Sequence, residues 1–264
     1  MTNFQIMIFG ISFIFVMTTA GSALIFFFKK NISGRLNKIF LGFAAGVMIA
    51  ASVWSLLIPA LNESAANGWG RLSFVPAAVG FIGGGLFLLL IDVIVPHLHP
   101  GSKEAEGLPV ELKKTTKLFL AITIHNIPEG LAVGFAFGAA LAINTDAAFL
   151  GALGLALGIG IQNFPEGAAV SLPMKAETKS NWKAFLIGTG SGAVEPVAAI
   201  IGVILAYQIV ALMPWLLAFA AGAMIYVVVE ELIPEARLGE HSNLGTWGVM
   251  IGFVLMMILD VALG

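Results

Sequence analysis

The stretch TKLFLAITIHNIPEGLAVGFAFGAALAI, residues 116–143, decides how the chain is read, and AAFLGALGLALGIGIQNFPEGAAVSL, residues 147–172, repeats its design. Each is an apolar run long enough to cross a bilayer as a helix, since about 20 residues rising 1.5 Å apiece span the hydrocarbon core. Each also carries a polar group near its middle, HNIPEG at 125–130 and QNFPEG at 162–167. Working outward, six further apolar runs flank the pair: Phe4 to Phe28, Ile39 to Leu61, Leu72 to Val95, Trp182 to Tyr207, Pro214 to Ile233 and Leu244 to Leu263. The fold class is therefore an all-α integral membrane protein with eight transmembrane helices. Residues 1–264 read as a single transmembrane domain, because the longest connection, a cytoplasmic loop at 96–115, is too short for a domain of its own.

Composition agrees. Mean hydropathy is +0.98, and only 11% of residues are charged, against about 25% in soluble domains. Zero cysteines exclude disulfides and thiolate ligands, and a formal charge of −2 supplies no basic surface for nucleic acid. The first run lacks a basic start and is followed by Lys29 and Lys30, so it reads as an uncleaved helix.

Basic residues set the orientation, since lysine and arginine favour the cytoplasmic side. Lys29, Lys30, Arg35 and Lys38 follow span 1; Lys103, Lys113, Lys114 and Lys117 precede span 4; Lys175, Lys179 and Lys183 precede span 6; Arg237 follows span 7. Only Arg71, of thirteen, falls on the opposite side. The expected location is the cell membrane, multi-pass, with both termini extracytoplasmic.

Deep within the spans the charge is all acidic, Lys117 and Lys183 standing at the cytoplasmic ends of theirs. Glu129, Glu166, Glu195, Glu230 and Glu231 are deep, while Asp92, Glu235 and Asp260 lie nearer the ends, and no lysine or arginine accompanies them. Uncompensated, five such carboxylates would oppose insertion by roughly 12 to 17 kcal/mol. Protons or a bound cation must neutralise them. Helical spacing places His125, Asn126 and Glu129 on one face and Gln162, Asn163 and Glu166 on another. A connection of a few residues makes the two helices antiparallel neighbours, and their motifs fall at similar depths. Pro128 and Pro165 lack the N–H that would bond the carbonyls of Ile124 and Ile161, which is tolerated in membranes where backbone lines a cavity or is buried in protein. One imidazole among carboxylate and amide oxygens suits Zn²⁺, Fe²⁺ or Mn²⁺, and the acids are numerous enough for either one ion or two bridged by Glu129 and Glu166.

These residues resemble the ZIP (Zrt/Irt-like) metal transporter family, specifically its bacterial GufA-like branch. The resemblance spans the chain: eight helices, a histidine-bearing loop after the third, HNIPEG, QNFPEG, GAVEP at 192–196 and VEELIPEA at 229–236. It implies transport of divalent transition metals, zinc foremost with iron, manganese or cadmium, into the cytoplasm by alternating access. It also implies an inverted-repeat bundle around helices 4 and 5. Carried over by position, the metal site comprises His125, Asn126, Glu129, Gln162, Asn163, Glu166, Glu195 and Glu231. Met48, Ser55, Glu230, Asp92, His97 and His99 fall on pathway or accessory positions. Many relatives have histidine where this chain has Gln162 and an acid where it has Asn163, so this site carries less charge. No cofactor is expected; the metal is cargo. The expected partners are divalent metal ions and the lipid bilayer, with a homodimer as the oligomer considered and no nucleic acid.

Two rival readings use the same residues. An intramembrane metalloenzyme would use the acids to hold a metal that activates water, but the chain lacks H-E-x-x-H and the Glu-x-x-His element of di-iron bundles. A proton-coupled carrier of organic anions would want a basic partner deep in the spans, and there is none.

Overall fold

The computed structural model describes residues 1–27, 34–96, 114–237 and 243–263. Among them every regular element is helical. The eight helices long and apolar enough to span a membrane are α1 (Asn3–Phe26), α2 (Gly34–Leu72), α3 (Phe74–Ile94), α4 (Lys114–Ile143), α5 (Asp146–Thr178), α6 (Asn181–Gln208), α7 (Val210–Ala236) and α8 (Leu244–Leu263). Two boundaries differ clearly from the sequence reading. Helix α2 continues past Leu61 to about Asn67, where Gly68 and Gly70 at φ 88° and 51° break it before a last turn to Leu72, and α5 continues past Leu172 to Thr178, because polar residues end an apolar run without ending a helix.

Local chemistry sets the ends. Thr2 and Gln5 form a reciprocal capping box at the start of α1. Asn144, at a left-handed φ of 56°, makes the reversal between α4 and α5, a conformation asparagine tolerates. Thr145 then caps α5 by accepting from the Ala148 N–H at 3.3 Å. Asn3 donates to Asp146 at 3.2 Å, tying the first turn of α1 to that of α5.

The helices sort into two groups. Helix α1 packs along α5 and α4 along α6, forming one bundle; α2 packs along α8 and α3 along α7, forming the other. Exchanging 1 with 6, 2 with 7, 3 with 8 and 4 with 5 maps each pairing onto its counterpart, which is the inverted repeat. The repeat is also written in the residues, where sequence reading had not found it: FAAGVMI at 43–49 answers FAAGAMI at 219–225, and LIP at 57–59 answers LIP at 232–234. Both helices widen into a π turn just before that proline, over Ser52–Leu57 and Val228–Leu232. The cause is covalent. Pro59 and Pro234 cannot bond the carbonyls of Ser55 and Glu230, and the preceding N–H groups of Ile58 and Ile233 reach five residues back instead, to Val53 and Val228. Helices α4 and α5, by contrast, run on through Pro128 and Pro165 without a widened turn, so those prolines do not open their helices as the sequence suggested.

Glycine makes each bundle tight. A Cβ built at Gly21 would lie 1.8 Å from the Phe164 carbonyl oxygen, at Gly42 2.1 Å from that of Gly245, at Gly84 1.9 Å from that of Phe219, and at Gly134 2.2 Å from that of Ala199. Among the described residues, all such approaches of glycine to another helix's backbone under 3 Å occur inside one bundle or the other. Between bundles the nearest backbone approach is looser: a Cβ at Gly154 would stand 3.4 Å from the Leu259 carbonyl oxygen. Without a hydrophobic drive in lipid, close backbone packing is what holds helices together. Gly84→Val should therefore lower the midpoint of thermal unfolding in detergent by an amount equivalent to about 1–3 kcal/mol of overpacking. Gly83→Ala, whose Cβ would meet nothing closer than 3.9 Å, should leave it unchanged.

Candidate functional site

The polar centre is built almost wholly by the first bundle. Helix α4 supplies His125, Asn126 and Glu129, α5 supplies Gln162, Asn163 and Glu166, and α6 supplies Glu195 just after a break at Ala193, whose N–H bonds Gly190 rather than the carbonyl four back. The second bundle contributes Glu231, from the π turn of α7, and that residue is ion-paired to the His125 Nε2. His125, Asn126, Glu129, Gln162, Asn163, Glu195 and Glu231 are buried, and Glu166 is half-buried. The two motifs thus meet as the sequence indicated.

Hydrogen bonds give the centre its direction. Gln162 Nε2 donates to Glu129 Oε1 at 2.6 Å, Asn163 Nδ2 donates to Glu195 Oε2 at 2.9 Å, and Asn126 Nδ2 donates to the Ser191 carbonyl at 3.0 Å. Only the nitrogen end of an amide can donate, so each contact fixes which way its amide faces. The opposite ends, Asn126 Oδ1, Gln162 Oε1 and Asn163 Oδ1, have no donor, and neither has Glu129 Oε2. Four buried acceptors without donors, all from the two motifs, call for water or a cation. Imidazole with carboxylate and amide oxygens fits a divalent ion of intermediate hardness.

Among the described residues, no three His, Asp or Glu side chains group closely enough to hold a metal ion as they stand. The reason lies in the amides. Glu195 has both oxygens taken by hydrogen-bond donors, Thr18 and Asn163, and Glu129 has one taken by Gln162. Glu166 lies within electrostatic reach of His125 and Glu231 but faces a small gap beside Phe40, Leu41 and Ala44 of α2.

The accessory positions spread along the chain's path through the membrane. Met48 is fully buried on α2. Ser55 lies in the π turn of α2 and donates a hydrogen bond to Asp260 of α8, whose Oδ2 has no donor. Both residues line a cavity of about 390 Å³ between the bundles, with Trp54, Ala139, Gly151 and Leu217. Asp92 on α3 is hydrogen-bonded to Tyr226 of α7, and Glu230 beside it is exposed. His97 and His99 lie outside the described residues. Sequence reasoning missed Thr18 and gave Asp260 no role. The only trace of Thr18 was a run of hydroxyl residues, MTTAGS at 17–22, in an otherwise apolar span.

Eight apolar helices around a buried, acceptor-rich polar centre define the class, a multi-pass membrane protein with a polar centre inside the membrane. The family profile described as ZIP zinc transporter matches residues 114–260. Human zinc transporter ZIP11 is 38% identical over 97% of this chain and 96% of its own length. Zinc transporter GufA of Myxococcus xanthus is 43% identical over 80% of this chain and 81% of its own, and zinc transporter ZIPB of Bordetella bronchiseptica is 37% identical over 93% and 78%. The chain belongs to the ZIP zinc transporter family.

The amide–carboxylate pairing across α4 and α5 carries a direct test. Gln162→Glu replaces a donor with a second buried carboxylate and should cost about 3 kcal/mol of stability, the scale of an uncompensated buried charge. Adding Glu129→Gln restores a donor facing an acceptor with the roles exchanged, and should recover most of the loss. Thermal unfolding in metal-free detergent would read both.

Proposed function

We propose that this chain carries divalent transition-metal ions, zinc foremost, across the membrane into the cytoplasm by alternating access. The observation that carries the reading is the set of four buried oxygen acceptors without donors on the two motifs. A cation bound among them would supply positive charge to several of these oxygens, which a proton on a single carboxylate cannot do. The relatives are named as transporters, and the reading as an enzyme has no catalytic arrangement of its own to support it.

The route follows from what is wet and what is sealed. The cavity holding Ser55 and Asp260 opens near the α4–α5 reversal and the chain's C-terminal helix, the side that the basic residues assign to the exterior. Between this cavity and the motifs lie Ala132 and Val133 of α4 and Leu155, Ala156 and Ile159 of α5, all fully buried. From Ala136 at the cavity to Glu129 is seven residues, or roughly 10 Å of helix. An ion entering at Asp260 therefore needs the apolar layer displaced to reach His125 and Glu129. Because the motif side chains ride on one bundle and Glu231 and Met48 on the other, a shift of the first bundle against the second moves the ion past that layer. The His125–Glu231 ion pair would break or re-form with the shift. At the inner end, Glu230 and Asp92 offer oxygen ligands for release.

Uptake of ⁶⁵Zn into proteoliposomes should be saturable in the wild type and fall at least about tenfold in His125→Ala and Glu129→Ala, each of which removes a charge-assisted contact. Excess Fe²⁺, Mn²⁺ or Cd²⁺ should compete and Mg²⁺ should not, since Mg²⁺ dehydrates reluctantly and rarely takes imidazole. Folded wild-type protein that binds zinc but moves none would sink the reading. Because the chain has no cysteine, single cysteines report topology cleanly. In intact cells an impermeant thiol reagent should label Arg71→Cys and spare Lys183→Cys.

A further inference from the structure

We propose that Thr18 of α1 is a positioning residue for the metal site, acting through Glu195 and Asn163. The inference rests on the transport reading above and adds to it a residue and a division of labour within the site.

The geometry is a relay across three helices. Thr18 Oγ1 donates to Glu195 Oε1 at 2.8 Å, and Asn163 Nδ2 donates to Glu195 Oε2 at 2.9 Å. All three residues are buried, Thr18 to 3% exposure and the others completely. Each carboxylate oxygen of Glu195 thus has one donor, from α1 and from α5. Glu195 is anchored on both sides, and its role towards the ion is to hold Asn163 with the amide nitrogen outward and Oδ1 turned into the site, where that oxygen has no donor.

The inverted repeat explains why Thr18 stands there. The glycine that closes each motif is where a neighbouring helix comes closest. A Cβ at Gly130 would lie 2.4 Å from the carbonyl oxygen of Glu195, and one at Gly167 would lie 2.1 Å from that of Thr18. With α1 related to α6 and α4 to α5, Thr18 and Glu195 occupy equivalent places beside the two motifs. They meet each other at the pseudo-twofold. One repeat supplies the acid and the other the hydroxyl that holds it.

Loss of the hydroxyl leaves Glu195 Oε1 buried without a donor. Two outcomes are then open to the carboxylate: it turns, or it draws both of its oxygens towards Asn163. Either change misdirects Asn163 Oδ1. The adjacent Thr19 is a built-in control, for its hydroxyl has no hydrogen-bond partner and its removal takes a hydroxyl from the same turn of α1 without touching Glu195.

The test compares zinc uptake kinetics of Thr18→Val, Thr18→Ala, Thr18→Ser and Thr19→Val in proteoliposomes, normalised to folded protein. Thr18→Val and Thr18→Ala should each raise KM for Zn²⁺ about tenfold with little change in Vmax, the effect of one hydrogen bond to a charged group. Thr18→Ser, which keeps the donor, and Thr19→Val should match the wild type. In an Asn163→Asp background the residue has no N–H to give Glu195, and Thr18→Val should add nothing further. An unchanged KM in the folded Val or Ala variant, or an equal effect with and without Asn163, overturns the proposal while the transport reading stands. If the wild type takes up no zinc, that reading fails instead. The same variants' zinc affinities by calorimetry then decide the relay by the same pattern.

Discussion

The structure depends on how closely α6 and α1 approach the two motif helices at Gly130 and Gly167. No residue with a side chain fits at either place, since the added carbon would sit inside the van der Waals shell of a carbonyl oxygen. Because the glycine directly follows the glutamate in each motif, the same contact that packs the bundle sets Glu195 and Thr18 beside the ligand side chains. Packing and chemistry are one feature here. A change that loosened the helix crossing would also move the polar centre, and the basic residues, which lie towards the helix ends, are too far away to make good the difference.

That polar centre is arranged by exclusion. In hydrocarbon, every buried acceptor must find a donor or a cation. The amides of Asn126, Gln162 and Asn163 spend their nitrogens on Ser191, Glu129 and Glu195, which fixes their oxygens facing the other way. The neutral residues at 162 and 163, which lower the site's charge, also orient it. An aspartate at 163 could accept from neighbours but could not hold Glu195 as the amide does.

In the proposed transport cycle, access to the centre changes through the division into two bundles. Glycine-mediated backbone contacts bind α1 to α5 and α4 to α6 in the first bundle, and α2 to α8, α3 to α7 and α8 to α7 in the second, while looser contacts separate the groups. The π turns of α2 and α7 bring Ser55 and Glu231 to that boundary from opposite ends of the second bundle. Proline placement is thus visible as a widened turn in the scaffold helices and not in α4 and α5, which run on through Pro128 and Pro165.

Much of this was legible in the residues themselves. Hydropathy alone defines eight spans, because the bilayer admits few other ways to bury so many apolar residues. The paired motifs name the ligand-type side chains because a buried carboxylate or imidazole is too costly to keep idle. The α2–α7 repeat was present too, in FAAGVMI and FAAGAMI, but a one-residue difference before LIP breaks the register, and only the matching π turns show the two helices to be built alike. What the sequence could not supply was which oxygen faces which donor. Thr18 is one hydroxyl in an apolar span, 177 residues from Glu195, and helical periodicity relates residues three or four apart. Its pairing with Glu195, and with it the direction of the Asn163 amide, is decided by helix crossings that exist only once the chain has folded.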